Sequence, residues 1–142
     1  MSFKPGFLSY FNLDSAAGSP TNLSGYTDDT SLPQTRSTLD VSVFGGGAVK
    51  QFITGLSGGD VMAIKGPYDA TLHSHLGSCL AAQDAGTASF SFIWGPGGSV
   101  SGQAKISGEA LVAGYTLSST VAGRGEWTAS LQVSGAVTNG VW

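Results

Sequence analysis

The sequence predicts a mainly β protein: an antiparallel β-sandwich or barrel of about seven or eight strands with one packed α-helix over about 67–83. Three observations lead there. From Glu126 to Ser134 the apolar residues Trp127, Ala129, Leu131 and Val133 fall at every second position, with polar or charged residues between them, which is the period of a half-buried strand. The same alternation recurs along the chain, punctuated by glycine-rich turns. A single segment, "GPYDATLHSHLGSCLAAQ", instead spaces its apolar residues by three and four.

Taken in order, residues 1–20 read as an N-terminal arm. Phe3, Phe7, Leu8, Tyr10 and Phe11 crowd together without a period, and "DSAAGSP" then breaks regular structure. Such an arm either folds back on its own core or docks on a neighbour. Asp28-Asp29 opens a turn-like stretch, and Pro33 marks an edge or a strand start. Thr38 to Phe44 alternates, with Leu39, Val41 and Val43 on one face. "GGGAVK" at 45–50 is a flexible loop flanked by Phe44 and Phe52. "QFITGLSGGDVMAIKG" carries the next short strands.

The helix starts at Pro67 or Asp69 and puts Leu72, His75, Leu76, Cys79 and Leu80 on one face. Phe90, Phe92 and Trp94 alternate up to the turn "GPGG". From Val100 to Ala110 the even-numbered positions are apolar or small, whereas Leu111, Ala113, Tyr115 and Leu117 continue the apolar face at odd positions. A slip of one residue exchanges the two faces of a strand, so a bulge or bend is expected near Glu109 to Val112. The whole of 1–142 makes one domain.

Charged residues make up only 11% of the chain, against about 25% in ordinary globular proteins, while glycine supplies 22 residues. Uncharged Ser, Thr, Gln and Gly surfaces suit contact with other protein. The net charge of -3 and six dispersed Lys and Arg leave no basic footprint for gripping nucleic acid. Cys79 stands alone and reads as a packed thiol, with no disulfide framework. The N-terminus lacks the pattern of a signal peptide, and no run approaches the ~20 apolar residues of a membrane helix. A soluble protein made in the cytoplasm is expected.

No catalytic constellation emerges, and neither a cofactor nor a metal is expected. His73 and His75 form an H-x-H, but on a helix their side chains point about 200° apart and cannot share one metal. Asp28-Asp29 lacks the spacing of a calcium loop, and the glycine-rich stretches fit neither the P-loop pattern nor a nucleophile elbow. Phe90, Phe92 and Trp94 alternate as a core strand does rather than forming a stacking platform.

The order of the pieces resembles the major tail, or tail-tube, proteins of long non-contractile phage tails (the siphophage tail tube family). The segments carrying the resemblance are Leu23 to Pro33, Leu39 to Gly45 and Gly55-Leu56, followed by the single helix and the C-terminal "ISGEALVAGYTLSSTVAGRGEWTASLQVSGAVT". It extends over nearly the whole chain and rests on pattern rather than on an invariant motif. It implies hexameric rings in which sheets of neighbours join edge to edge, stacked into the tube through which DNA leaves the capsid. It also implies partners among the tail tip, tape-measure and terminator proteins, a place in the virion, and a lumen that passes DNA without binding it. Under it, the arm residues Phe3, Phe7, Tyr10 and Phe11 dock between subunits or rings, and the loop from Phe44 to Phe52 becomes ordered on stacking. A capsid decoration or minor capsid protein is the nearest alternative, and a carbohydrate-binding β-sandwich a more distant one.

Overall fold

A computed structural model describes residues 5–57, 59–87 and 89–142, the side chain of residue 57 excepted. Nine strands and one α-helix form along these residues. They are β1 (Tyr10–Asp14), β2 (Pro20–Asn22), β3 (Asp29–Ser31), β4 (Arg36–Asp40), β5 (Phe52–Ser57), β6 (Val61–Pro67), α1 (Ala70–Asp84), β7 (Phe90–Gly95), β8 (Ala104–Ser118) and β9 (Glu126–Val141). Seven strands make one antiparallel sheet in the order β2-β1-β7-β8-β9-β6-β3, and β4 with β5 forms a separate two-stranded hairpin. The predicted fold class holds: mainly β, antiparallel, with one helix packed on it.

The spine of the sheet is the pair β8 and β9, and its alternation decides where the core lies. Trp127, Ala129, Leu131 and Val133 are all buried, and across the ladders they face Ile64, Met62, Val112 and Ala110. Residues directly opposite one another in an antiparallel pair share a face, so one face of the sheet is apolar across its width. Phe90 and Phe92 on β7 and Phe11 and Leu13 on β1 extend it. Helix α1 covers this face with Leu72, Leu76 and Cys79. Its start is fixed by Asp69, whose carboxylate accepts the Thr71 N–H at 2.8 Å, so the helix runs from residue 70 rather than from Pro67, which ends β6.

The expected phase slip in β8 lies one residue beyond its predicted window. Val112 pairs with Leu131 and Gly114 with Ser130, which leaves Ala113 as the extra residue of a bulge and brings Tyr115 and Leu117 back to the core face. Strand β7 stops opposite Ala110. Two residues on, the helix takes over: Gln83 accepts the Val112 N–H at 2.6 Å and donates to the Val112 carbonyl at 3.0 Å, so neither backbone group is orphaned. The stretch from Val100 to Gln103, which continues the alternation in sequence, is a turn and not strand, with Gly102 at φ 89.

Residues 20–31 cross the core. Leu23 is buried, and the Trp127 indole N–H donates to the Tyr26 carbonyl at 3.0 Å. Gly66 lies directly beneath this contact, where a β-carbon would collide with the Tyr26 carbonyl oxygen.

The arm expected over residues 1–20 is shorter than that. From Tyr10 the chain is paired with β7, and Asn12 to Asp14 pair with β2. Phe11, 2% exposed, belongs to the core.

Candidate assembly surfaces

Three surfaces of this domain remain without an obvious purpose in the isolated chain. The first is the hairpin. Its strands carry Thr38, Phe52, Ile53 and Thr54, residue types that favour extended backbone, and they register Leu39 opposite Ile53 and Asp40 opposite Phe52. The turn between them contains a short 3-10 segment, Phe44–Gly46, and Gly47 at φ 83. No described side chain between 36 and 57 is buried. Phe44 is 112% exposed, Leu56 90% and Phe52 56%, and Leu39, Val41, Val43, Val49 and Ile53 are exposed as well. Apolar residues gathered on one projecting element are unusual for a surface that stays wet.

The hairpin is held at its root by polar side chains. The Asp60 carboxylate accepts the Thr35 N–H at 3.1 Å and the Thr35 hydroxyl at 2.5 Å. These bonds, the hydroxyl's first, hold the Asp60 carboxyl below its ordinary value. Beside them Gln34 and Asn139 form a reciprocal amide pair at 3.0 and 2.8 Å.

The second surface is the face of the sheet opposite α1. Thr128, Ser130, Gln132 and Ser134 of β9 lie on it, joined by Ala63 of β6, Leu111 and Glu109 of β8 and Ser91 of β7. Its charges are few, and Lys105, beside Ser91 and Glu109, pairs with no carboxylate among the described residues and sets its ammonium 4.9 Å from the Trp142 ring centre. Glu109 accepts from the hydroxyls of Ser89 and Ser91 at 3.0 and 2.5 Å, and Lys65 pairs with Asp29 at 3.6 Å.

The third is a groove of about 650 Å3 between the N-terminal 3-10 turn, Gly6–Leu8, and the segment from Ser24 to Thr30. Phe7, 86% exposed, and Trp94 line it together with Asp28 and Asp29. Asp28 is paired with Arg124, which also donates to Glu126 at 3.1 Å.

No protein-family model matches the chain, and no curated protein matches it. Solved structures do. One is a chain from the tail of an empty gene transfer agent particle with C6 symmetry, at TM-score 0.71 and 12% identity over 96% of this chain and 98% of that one. Another belongs to the sheath-tube complex of an extracellular contractile injection system, PVC, in its extended state: TM-score 0.70 and 10% identity over 99% and 93%. A third is the SPP1 tail tube, at TM-score 0.66 and 16% identity over 99% and 80%. The chain has the tail-tube fold.

Within the tail-tube fold, the six aromatic residues expected to make assembly contacts are in different situations. Phe44 and Phe52 stand exposed on the hairpin, and Phe7 on the groove. Tyr10 is half-buried, edge-on to Trp142 with ring centroids 5.3 Å apart. Phe11 faces its own core and is not available to a neighbour. Phe3 lies outside the described residues. Sequence reasoning missed the root of the hairpin, since the Gln34–Asn139 pair spans 105 positions and leaves no local trace.

The titratable groups of α1 have contrasting surroundings. His73 shares a hydrogen bond with the Tyr115 hydroxyl at 3.0 Å, while His75 lies half-buried on the core side with its Nε2 unpartnered. Burial pushes the Cys79 thiol up to about 11, so the thiolate nucleophile is scarce at neutral pH. Among the described residues, no three of His, Cys, Asp and Glu gather as a metal site, and no helix is long and apolar enough to cross a membrane.

Proposed function

We propose that this chain is a tail-tube subunit. In this reading copies join into hexameric rings that stack into a tube, and DNA passes along its lumen. The observation that carries the reading is the hairpin: a projecting element whose apolar residues find no place in their own core, on a fold otherwise seen in a tail with C6 symmetry. The helix-free face of the sheet supports the same assignment. A surface of Ser, Thr and Gln whose one cation without a carboxylate partner among the described residues is Lys105 offers DNA phosphates little to hold. The sheet ends in two strands of three residues each, β2 and β3, whose outer edges suit pairing with neighbouring copies.

The partners of such a tube are the chain itself and the tail tip, tape-measure and terminator proteins. Its place is the virion, after synthesis in the host cytoplasm. Assignment to the long non-contractile class rests on the sequence pattern of Leu23 to Pro33 and Leu39 to Gly45.

Negative-stain electron microscopy of the purified protein at rising concentration, with and without a tail-tip complex as nucleus, tests the proposal. Hollow tubes or stacked rings are the expected outcome. Discrete dimers or trimers under every condition, binding to empty capsids, would assign it to capsid decoration instead.

A further inference from the structure

We infer that Gln34, Thr35, Asp60 and Asn139 are positioning residues that fix the direction in which the β4–β5 hairpin leaves the sheet, and so set how readily subunits assemble. The inference rests on the tail-tube reading and concerns the free subunit, before any neighbour arrives.

The hairpin is an excursion between two strands that pair with each other, since β3 ends at Ser31, opposite Ala63 of β6. Apolar packing does not set its direction, because no described side chain between 36 and 57 is buried. Two legs join it to the sheet, and hydrogen bonds hold both to β9. On the leaving leg, the Gly59 carbonyl accepts from the Gln132 amide at 2.8 Å, and the Asp60 carbonyl accepts the Val133 N–H at 3.0 Å. The Asp60 carboxylate then reaches across to the N–H and hydroxyl of Thr35, which closes the base of the excursion. On the entering leg, Gln34 and Asn139 exchange two amide hydrogen bonds. Asn139 lies further along β9 than Val133, so the two attachments are separate. One attachment would act as a pivot, and a second away from it removes most of the swing.

The sequence carries a mark of this use. Asn139 stands opposite Ile106, which packs against the core, so it occupies the apolar phase of its strand. An amide stands where the pattern calls for an apolar side chain. Gln34, Thr35 and Asn139 are exposed, and hydrogen bonds that compete with water add only modestly to the stability of a chain. What they supply is order. A hairpin free to swing loses that freedom on joining a neighbour, whereas one already held has none to lose.

The test compares Asn139→Ala, Asp60→Ala and the exchange variant Gln34→Asn with Asn139→Gln, which keeps the summed length of the amide pair. Nitroxide labels on Thr38→Cys in β4 and Ser74→Cys on α1, both exposed positions, report the direction of the hairpin in the soluble subunit through electron–electron distance measurements. The native Cys79 is fully buried with its thiol pushed up to about 11, so it stays unlabelled. The otherwise unchanged protein is expected to give one narrow distance distribution, the two alanine variants a broad one, and the exchange variant a narrow one again. Without labels, the alanine variants should raise the concentration needed for tubes about two- to tenfold, the range of one or two net hydrogen bonds. Their denaturation midpoints should change little, and the exchange variant should assemble at the original concentration. Unchanged distributions in both alanine variants overturn the inference, as does a broadened distribution with tubes at the original concentration. A midpoint that falls in step with the loss of tubes also overturns it, by assigning these residues to the stability of the fold. If the unmodified protein forms no tubes under any condition, the tail-tube reading falls by itself, and the distance distributions still decide whether these residues direct the hairpin.

Discussion

His75 illustrates how one residue's surroundings set a property that its type alone does not. Its helix position turns it inward beside Leu72, Leu76 and Cys79, where its Nε2 has no partner and burial lowers its pKa below the ordinary 6.5, against a smaller opposing pull from Asp14. The unfolded chain therefore binds the proton more readily than the folded one. The stability tied to this residue is fully present above pH 6.5 and is lost as pH falls through the folded pKa. Chemical denaturation of the subunit should accordingly show a falling midpoint below pH 6.5, and His75→Leu should remove that slope. A midpoint with the same pH dependence in both proteins would refute the assignment. The carboxyls held low by hydrogen bonds, Asp40 and Asp60, act in a separate window below about pH 3.8.

Among the elements, the hairpin and the sheet answer to different demands. Strands β8 and β9 carry the core, and α1 is fastened to them both by apolar packing and by Gln83, which caps the backbone of Val112 where β7 ends. The hairpin gives the core nothing, so its apolar residues add no burial to the stability of the single chain. Replacing residues 36–57 with a short glycine-containing turn should change the unfolding free energy by less than about 1 kcal/mol, since no apolar area returns to water. The same protein should form no tubes at any concentration. A loss of cooperative unfolding in the excised variant would show that the hairpin is part of the folding unit after all.

For the molecule as a whole, the N-terminal residues can be separated from the fold only up to a point that the structure defines. Removing residues 1–11 would take Tyr10 and Phe11 out of β1 and open the core, so a defect in that variant would say nothing about assembly. Removing residues 1–7 leaves β1 intact and takes away Phe7, the exposed ring on the groove. That shorter deletion should yield a folded, soluble subunit by circular dichroism whose tubes are absent or need several-fold more protein. Tubes at the unchanged concentration would rule out a role for this end in assembly.

What the sequence determined by itself was the part of the fold written in short-range periodicity. The apolar face of β9, the single helix and the phase slip in β8 are each set by spacings of two, or of three and four, and the structure places them within about three residues. What it did not determine is which alternating strand meets a core. Leu39, Val41 and Val43 alternate as cleanly as Trp127, Ala129 and Leu131, yet the first set is exposed and the second buried. Alternation records that one face of a strand is apolar, not whether that face is covered by the same chain or by another. The N-terminus shows the converse. Phe11 and Leu13 are core residues hidden in a run without period, because a five-residue strand flanked by further aromatics is too short to display one. Only the tertiary structure assigns these surfaces, because which strands pair and where the helix settles depend on contacts far apart in the chain. That is also why the groove, built from residues 6–9, 24–30 and 94, left no mark in the sequence.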